Sequence, residues 1–204
     1  MSDFIEKRLN YDFLIVEDES EKYFGGDQDW YKSFWKRLAG CGPTTASTIT
    51  MYEIRKIEGT SNYTKLQFID LMNTMWQYVT PREKGVSSTE IYTEGYDRYI
   101  KENSINLSEH KVMNIEPNGH SIIEVFEFLS KAIDNNHPIA FLNLDNGGIK
   151  ALESWHWVTI VGITYNSSTS ELYATIADGE EKKEINLGIW LEKTIKGGGF
   201  VYYI

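Results

Sequence analysis

The chain has one cysteine, Cys41, in the run Ala39-Gly40-Cys41-Gly42-Pro43-Thr44-Thr45-Ala46. Pro43 suits the first turn of a helix, and glycines at 40 and 42 permit an unusual backbone just before it. The run therefore predicts a loop meeting a helix that continues to about Arg55 and buries Ala46, Ile49, Thr50 and Ile54. A helix start carries partial positive charge and N–H groups without intrahelical partners. The charge favours the anionic form of a thiol placed there, and the N–H groups can hold an oxyanion formed beside the sulfur. Glycine on both sides lets a substrate backbone approach. This setting fits a nucleophile better than an inert core thiol.

A nucleophilic thiol needs a base from elsewhere in the fold. Of the four histidines, His137 precedes Pro138 at a helix–strand junction and reads as a surface or capping residue. His110 and His120 lie in polar loop sequence. His156 lies near the start of the apolar run Trp155-His156-Trp157-Val158-Thr159-Ile160-Val161-Gly162. An imidazole placed there is desolvated and needs a defined partner. If that strand pairs antiparallel with 171–177, the end of the second lies beside the start of the first, and Asp178 comes next to His156. Asp178 also begins an Asp-Gly turn, a favoured hairpin pair, and the two roles are compatible. Asp145 and Asn143 are weaker candidates for the same position.

Gly-Cys-Gly-Pro-Thr-Thr-Ala opening a helix, a late Trp-His-Trp-Val-Thr-Ile-Val-Gly strand and Ile-Ala-Asp-Gly one strand later resemble a papain-like cysteine peptidase. The resemblance is greatest to the bacterial group of double-glycine leader peptidases and their stand-alone relatives, and it covers roughly Trp30 to the C-terminus. It implies Cys41 as nucleophile, His156 as general acid and base, and Asp178 as the group that orients the ring. It implies a thioester intermediate in the cleavage of a peptide or amide bond. The family usually places a glutamine shortly before the cysteine to complete the oxyanion hole. Here the only upstream glutamine is Gln28, thirteen positions earlier, so this role needs an inserted helical turn to absorb the gap.

The elements that must position these residues change character along the chain. Trp30, Phe34 and Leu38 have helical spacing. Capping boxes pair Thr64 with Gln67, Ser87 with Glu90 and Ser121 with Glu124, opening helices over 66–78, 91–101 and 122–133. Along the last of these, Ile122, Val125, Phe126, Leu129 and Ile133 share a face. After Pro138 the pattern becomes strands at 139–144, 155–164, 171–177, 183–187 and 200–204. The segment 9–16 reads as a short strand, and the acidic, glycine-containing stretch 17–29 as a surface loop. Lys196-Gly197-Gly198-Gly199 reads as a flexible linker to the last strand or as a flank of the cleft. Helices first and an antiparallel sheet second is an α+β order. We expect a single papain-like domain over 1–204, with a helical part at about 30–135 packed on a sheet part at about 138–204.

The whole chain has 204 residues, with 20 Lys+Arg against 30 Asp+Glu and a formal net charge of −10. A net anion repels nucleic-acid phosphates and anionic headgroups, which argues against both as partners. One cysteine excludes an intramolecular disulfide framework and multi-cysteine metal sites. No apolar run approaches a membrane span, and the N-terminus lacks the apolar core of a signal peptide, so a cytoplasmic protein is the expectation. No metal or organic cofactor is expected, and the expected partner is a peptide or protein substrate. The same three residues would also serve an amidase, deamidase, transglutaminase or transpeptidase. A catalytically silent peptide-binding module is a third reading, in which the many Tyr and Trp side chains serve stacking.

Overall fold

The computed structural model describes residues 3–59 and 63–204. Its centre is a mixed-length antiparallel sheet. Strands β4 (His110–Ile115), β9 (Gly198–Tyr203), β5 (Ile139–Asn143), β6 (His156–Asn166), β7 (Glu171–Asp178) and β8 (Glu181–Asn186) lie side by side in the order β4-β9-β5-β6-β7-β8. Strand β1 (Phe4–Arg8) pairs with β6 beyond the end of β5, from Phe4 opposite Asn166 to Arg8 opposite Gly162. A separate hairpin joins β2 (Ile15–Asp18) to β3 (Glu21–Phe24).

The sheet is covered on both faces. One face carries Ala140, Leu142, Trp157, Val201 and Tyr203, packed with residues of α2 (Cys41–Glu58), α3 (Lys65–Met75) and α4 (Thr89–Glu102). The other carries Ile139, Phe141, Val158, Ile160, Phe200 and Tyr202, packed against α5 (Ile122–Asp134) and α6 (Leu187–Lys193). Alternate residues of β5 and β9 thus serve opposite cores, as the two-residue repeat of a strand requires. The capping boxes at Thr64/Gln67 and Ser121/Glu124 are formed by side chain and backbone in both directions. Along α5, Val125, Leu129 and Ile133 are buried while Ile122 and Phe126 pack at the margin of the same core. This is the mixed α+β arrangement expected from the sequence.

Several local expectations are corrected. Residues 11–14 are a 3-10 turn, because Asn10 caps it by accepting from the Asp12 N–H, and the strand begins only at Ile15. The acidic stretch 17–29 contains the β2–β3 hairpin instead of a continuous loop, its turn taken by Glu19 at φ 52°. The spacing of Trp30, Phe34 and Leu38 does not mark a buried face. Trp30 ends a 3-10 turn (Gln28–Trp30), and α1 (Phe34–Ala39) leaves Phe34 and Leu38 69 % and 60 % exposed. Ser88, one residue later than expected, caps α4 by accepting from the Ile91 N–H. His110 opens an edge strand inside the stretch read as helical, and Gly198–Gly199 belong to β9 instead of a linker. A Cβ at Gly198 would fall 1.9 Å from the Leu142 carbonyl oxygen, so glycine is needed there for strand pairing. Among the described residues no helix is long and apolar enough to cross a membrane.

Phe141 is fully buried, stacked on Phe200 at 4.9 Å between ring centroids and edge-on to Trp190 at 4.8 Å. Phe141→Ala should cost about 3–5 kcal/mol of stability through lost transfer energy and the cavity left behind. Urea denaturation checks this. A lower midpoint at unchanged slope is expected, and an unaltered midpoint would contradict the packing described.

Candidate active site

Cys41 is the first residue of α2, and Gly40 is its N-cap, with no side chain capping the helix start. Neither Gly40 nor Gly42 has a positive φ, so the glycines do not serve an unusual backbone as expected. They serve close packing. A Cβ on Gly42 would lie 2.8 Å from Val86 Cγ2, and one on Gly40 would lie 2.4 Å from the Lys36 carbonyl oxygen. Helix α1 and the segment around Val86 can therefore close on the thiol from two sides. Val86 is itself held by the Trp157 indole, whose Nε1 donates to the Val86 carbonyl at 2.6 Å and whose ring stacks on Tyr92 at 4.5 Å.

His156 begins β6, opposite Asn143 of β5, and Asn143 Nδ2 donates to the His156 carbonyl at 3.1 Å. On the other side β7 pairs with β6 from Thr159 opposite Ala177, which brings Asp178 diagonally beside the start of β6. Asp178 Oδ1 lies 2.7 Å from His156 Nε2, and the two side chains are only 10 % and 12 % exposed. Asp178 takes Nε2, so the ring's second nitrogen, Nδ1, is the one left for the Cys41 sulfur, which lines the same cleft. Asp178 Oδ2 meets Lys183 Nζ at 3.0 Å.

Electrostatics follow from this geometry. Burial pulls the basicity of His156 down, but the hydrogen bonds and charges of Asp178 and Cys41 outweigh it and push the pKa up to about 10. Burial likewise works against the Asp178 carboxylate, yet His156 and Lys183 hold its pKa below the ordinary value. Opposite charge and hydrogen bonding to the charged form prevail over desolvation at both members of the pair.

The other candidates lie elsewhere. Asp145 binds Thr194 Oγ1 at 2.8 Å and the N–H groups of Ile195 and Lys196, so it shapes the approach to β9. His110 pairs with Asp97 at 3.0 Å, and His120 meets the Asn114 carbonyl at 2.9 Å. His137 is not a surface residue as expected. It is largely buried, 2.9 Å from Glu53, which also binds Lys56. Gln28 does reach the cleft that holds Cys41, His156 and Asp178, and α1 takes up the thirteen-residue gap. Its Oε1 is buried without a hydrogen-bond partner.

Three features escaped the sequence reading. Lys183 reaches back across the β7–β8 turn to Asp178, a contact that the Asp-Gly hairpin signal allows but does not specify. Glu180 in that turn accepts from Trp30 Nε1 at 2.9 Å, and Phe24 N–H donates to its carbonyl, which ties the Gln28 segment to the sheet. Trp155, half-exposed immediately before His156, has φ 60°, a strained value for a bulky residue. It lines a second groove that also reaches Cys41, together with Trp35, Leu38, Val86 and Leu142.

Helices packed on an antiparallel sheet give the chain a papain-like α+β fold. The crystal structure of UfSP from C. elegans superposes with a TM-score of 0.56 over 98 % of this chain at 14 % identity. The chain spans 34 % of that protein's length, and the likeness is one of fold. No family model and no curated protein matches the sequence.

Because the folded chain holds the His156 proton above the free value of about 6.5, the ring's interactions stabilise the fold fully below that pH. Their contribution is lost as pH rises toward about 10. Urea unfolding from pH 7 to pH 10 should therefore show stability falling more steeply in the wild type than in His156→Gln. Parallel pH profiles would contradict the pairing.

Proposed function

We propose that the chain is a cysteine peptidase-like hydrolase of the papain-like class, with Cys41 as nucleophile, His156 as general acid and base, and Asp178 as the orienting carboxylate. The observation that carries this reading is the convergence in one cleft of Cys41, at the start of α2, and the buried His156 imidazole, bound through Nε2 to Asp178. The sulfur attacks the substrate carbonyl as the thiolate, and a C–S bond forms. The oxyanion is held by the N–H groups at the start of α2, joined by the Gln28 side-chain amide. The tetrahedral intermediate collapses with loss of the C–N bond, and the departing nitrogen takes the proton from His156. Water, deprotonated by the same ring, then cleaves the thioester.

The Gly40-Cys41-Gly42-Pro43-Thr44 run supports a place beside the bacterial double-glycine leader peptidase-like enzymes, acting on a peptide or protein substrate in the cytoplasm. The groove of Trp35, Leu38, Val86, Leu142 and Trp155 supports an apolar side chain on the acyl portion of that substrate.

Iodoacetamide at pH 6 tests the thiol directly. Mass spectrometry should find rapid mono-alkylation at Cys41 in the wild type and slow alkylation in His156→Ala. A Cys41 rate no faster than that of a small model thiol would overturn the assignment. Replacing Gln28 by Ala should lower turnover of a cleaved peptide by on the order of 10²–10³ in kcat, the cost of one oxyanion donor, and unchanged kcat would remove Gln28 from that role.

A further inference from the structure

The thiol stands between two spaces of unlike chemistry. The groove just described is mainly apolar, with Glu83, Lys84 and Ser87 also on its lining, and it is not lined by His156. The cleft on the other side is polar and is lined by His156, Gln28, Asp27, Asp29, Glu153 and Asp178, with Lys183 as its one lysine. The leaving nitrogen takes its proton from His156, so the leaving group must occupy the side on which the imidazole lies, and the acyl portion the other.

Of that cleft's four carboxylates only Asp178 is paired with its two cations, His156 and Lys183. Lys183 is committed to Asp178, and Asp178 to His156. Burial and the nearby charges of Asp29 and Asp178 push the Asp27 carboxyl above the ordinary carboxylate range. The cleft also offers unused acceptors. Gln28 Oε1 and Thr44 Oγ1 are buried without hydrogen-bond partners, and Thr44 is only 7 % exposed. Unpartnered acceptors beside carboxylates that have no cation are the complement of an N–H-rich cation.

We infer that the leaving group is cationic: a basic residue, or an amine bearing a second positive charge, next to the bond that is cut. This rests on the relay proposed above. Asp27, Asp29 and Glu153 attract the charge, while Gln28 Oε1 and Thr44 Oγ1 accept from its N–H groups. The bonds made and broken are those of the proposed hydrolysis, with the amine departing into the polar cleft.

Methanethiosulfonates bearing a trimethylammonioethyl, methyl or sulfonatoethyl group test the charge. Each forms a mixed disulfide with Cys41 and releases methanesulfinate, so mass spectrometry reads all three rates on the one thiol. Relative to the same reagents on N-acetylcysteine, the cationic-to-anionic rate ratio should be higher by about tenfold or more at low salt, and should shrink at 0.5 M salt. The combined Asp27→Asn and Glu153→Gln variant should lose most of that preference at low salt, its fold being checked by circular dichroism. A wild-type ratio equal to that of N-acetylcysteine would overturn the inference, as would a preference that survives intact in the folded variant. Failure of the relay gives a different pattern: the neutral methyl reagent would then react at the small-thiol rate and be insensitive to His156→Ala.

Discussion

The ion pair between His156 and Asp178 is the contact on which the rest of the site depends. Both side chains are nearly excluded from water, and Nε2 and Oδ1 are 2.7 Å apart. Taking two ionisable groups out of water is costly, and the arrangement persists only because each finds charge and hydrogen bonds that replace its hydration. Asp178 has two such partners, one per oxygen, since Lys183 binds Oδ2 at 3.0 Å. With the carboxylate bound on both oxygens, the ring is held through Nε2, and Nδ1 is the nitrogen left for the Cys41 sulfur in the same cleft.

Positioning comes from two unrelated elements. The sheet supplies His156 and Asp178 from adjacent antiparallel strands, so their separation is set by backbone register instead of by flexible loops. The start of α2 supplies Cys41, and the close approach of Val86 to Gly42 fixes how far the helix can sit from the sheet. Trp157, next to the active ring, is the link between them. Its indole holds the Val86 carbonyl while its ring is packed on Tyr92 of α4. A precise site placed on helix and strand ends is more rigid than one carried by loops. The segment bearing Gln28 is the exception, and it is tethered through Trp30 to Glu180.

How legible this was in the sequence depends on the range of the forces involved. The start of α2 was readable because Pro43 and its glycines act within a turn. The Asp178–His156 contact was readable because an Asp-Gly turn implies antiparallel pairing, and that pairing fixes which strand ends meet. The glycines at 40 and 42 are required by the close approach of Lys36 and Val86 and not by an unusual backbone, a packing demand that the local sequence does not carry. Helix spacing at Trp30, Phe34 and Leu38 does not mark a core face, because Trp30 precedes α1, Phe34 is exposed and Leu38 lines the groove beside Cys41. His110 and the strand Phe4–Arg8 were missed because edge strands with polar faces lack an apolar run. Lys183, the buried His137–Glu53 pair and the division into apolar and acidic spaces depend on contacts between distant segments, which no local pattern records.

The protonation state of His156 is the central physical claim, and nitrogen-15 NMR of the imidazole reads it without any substrate. From pH 5 to pH 11 the ring of the wild type should stay protonated through neutrality and titrate near 10, and in Asp178→Asn the midpoint should fall well below that. A wild-type midpoint at or under about 6.5, the value of a free histidine, would contradict the account.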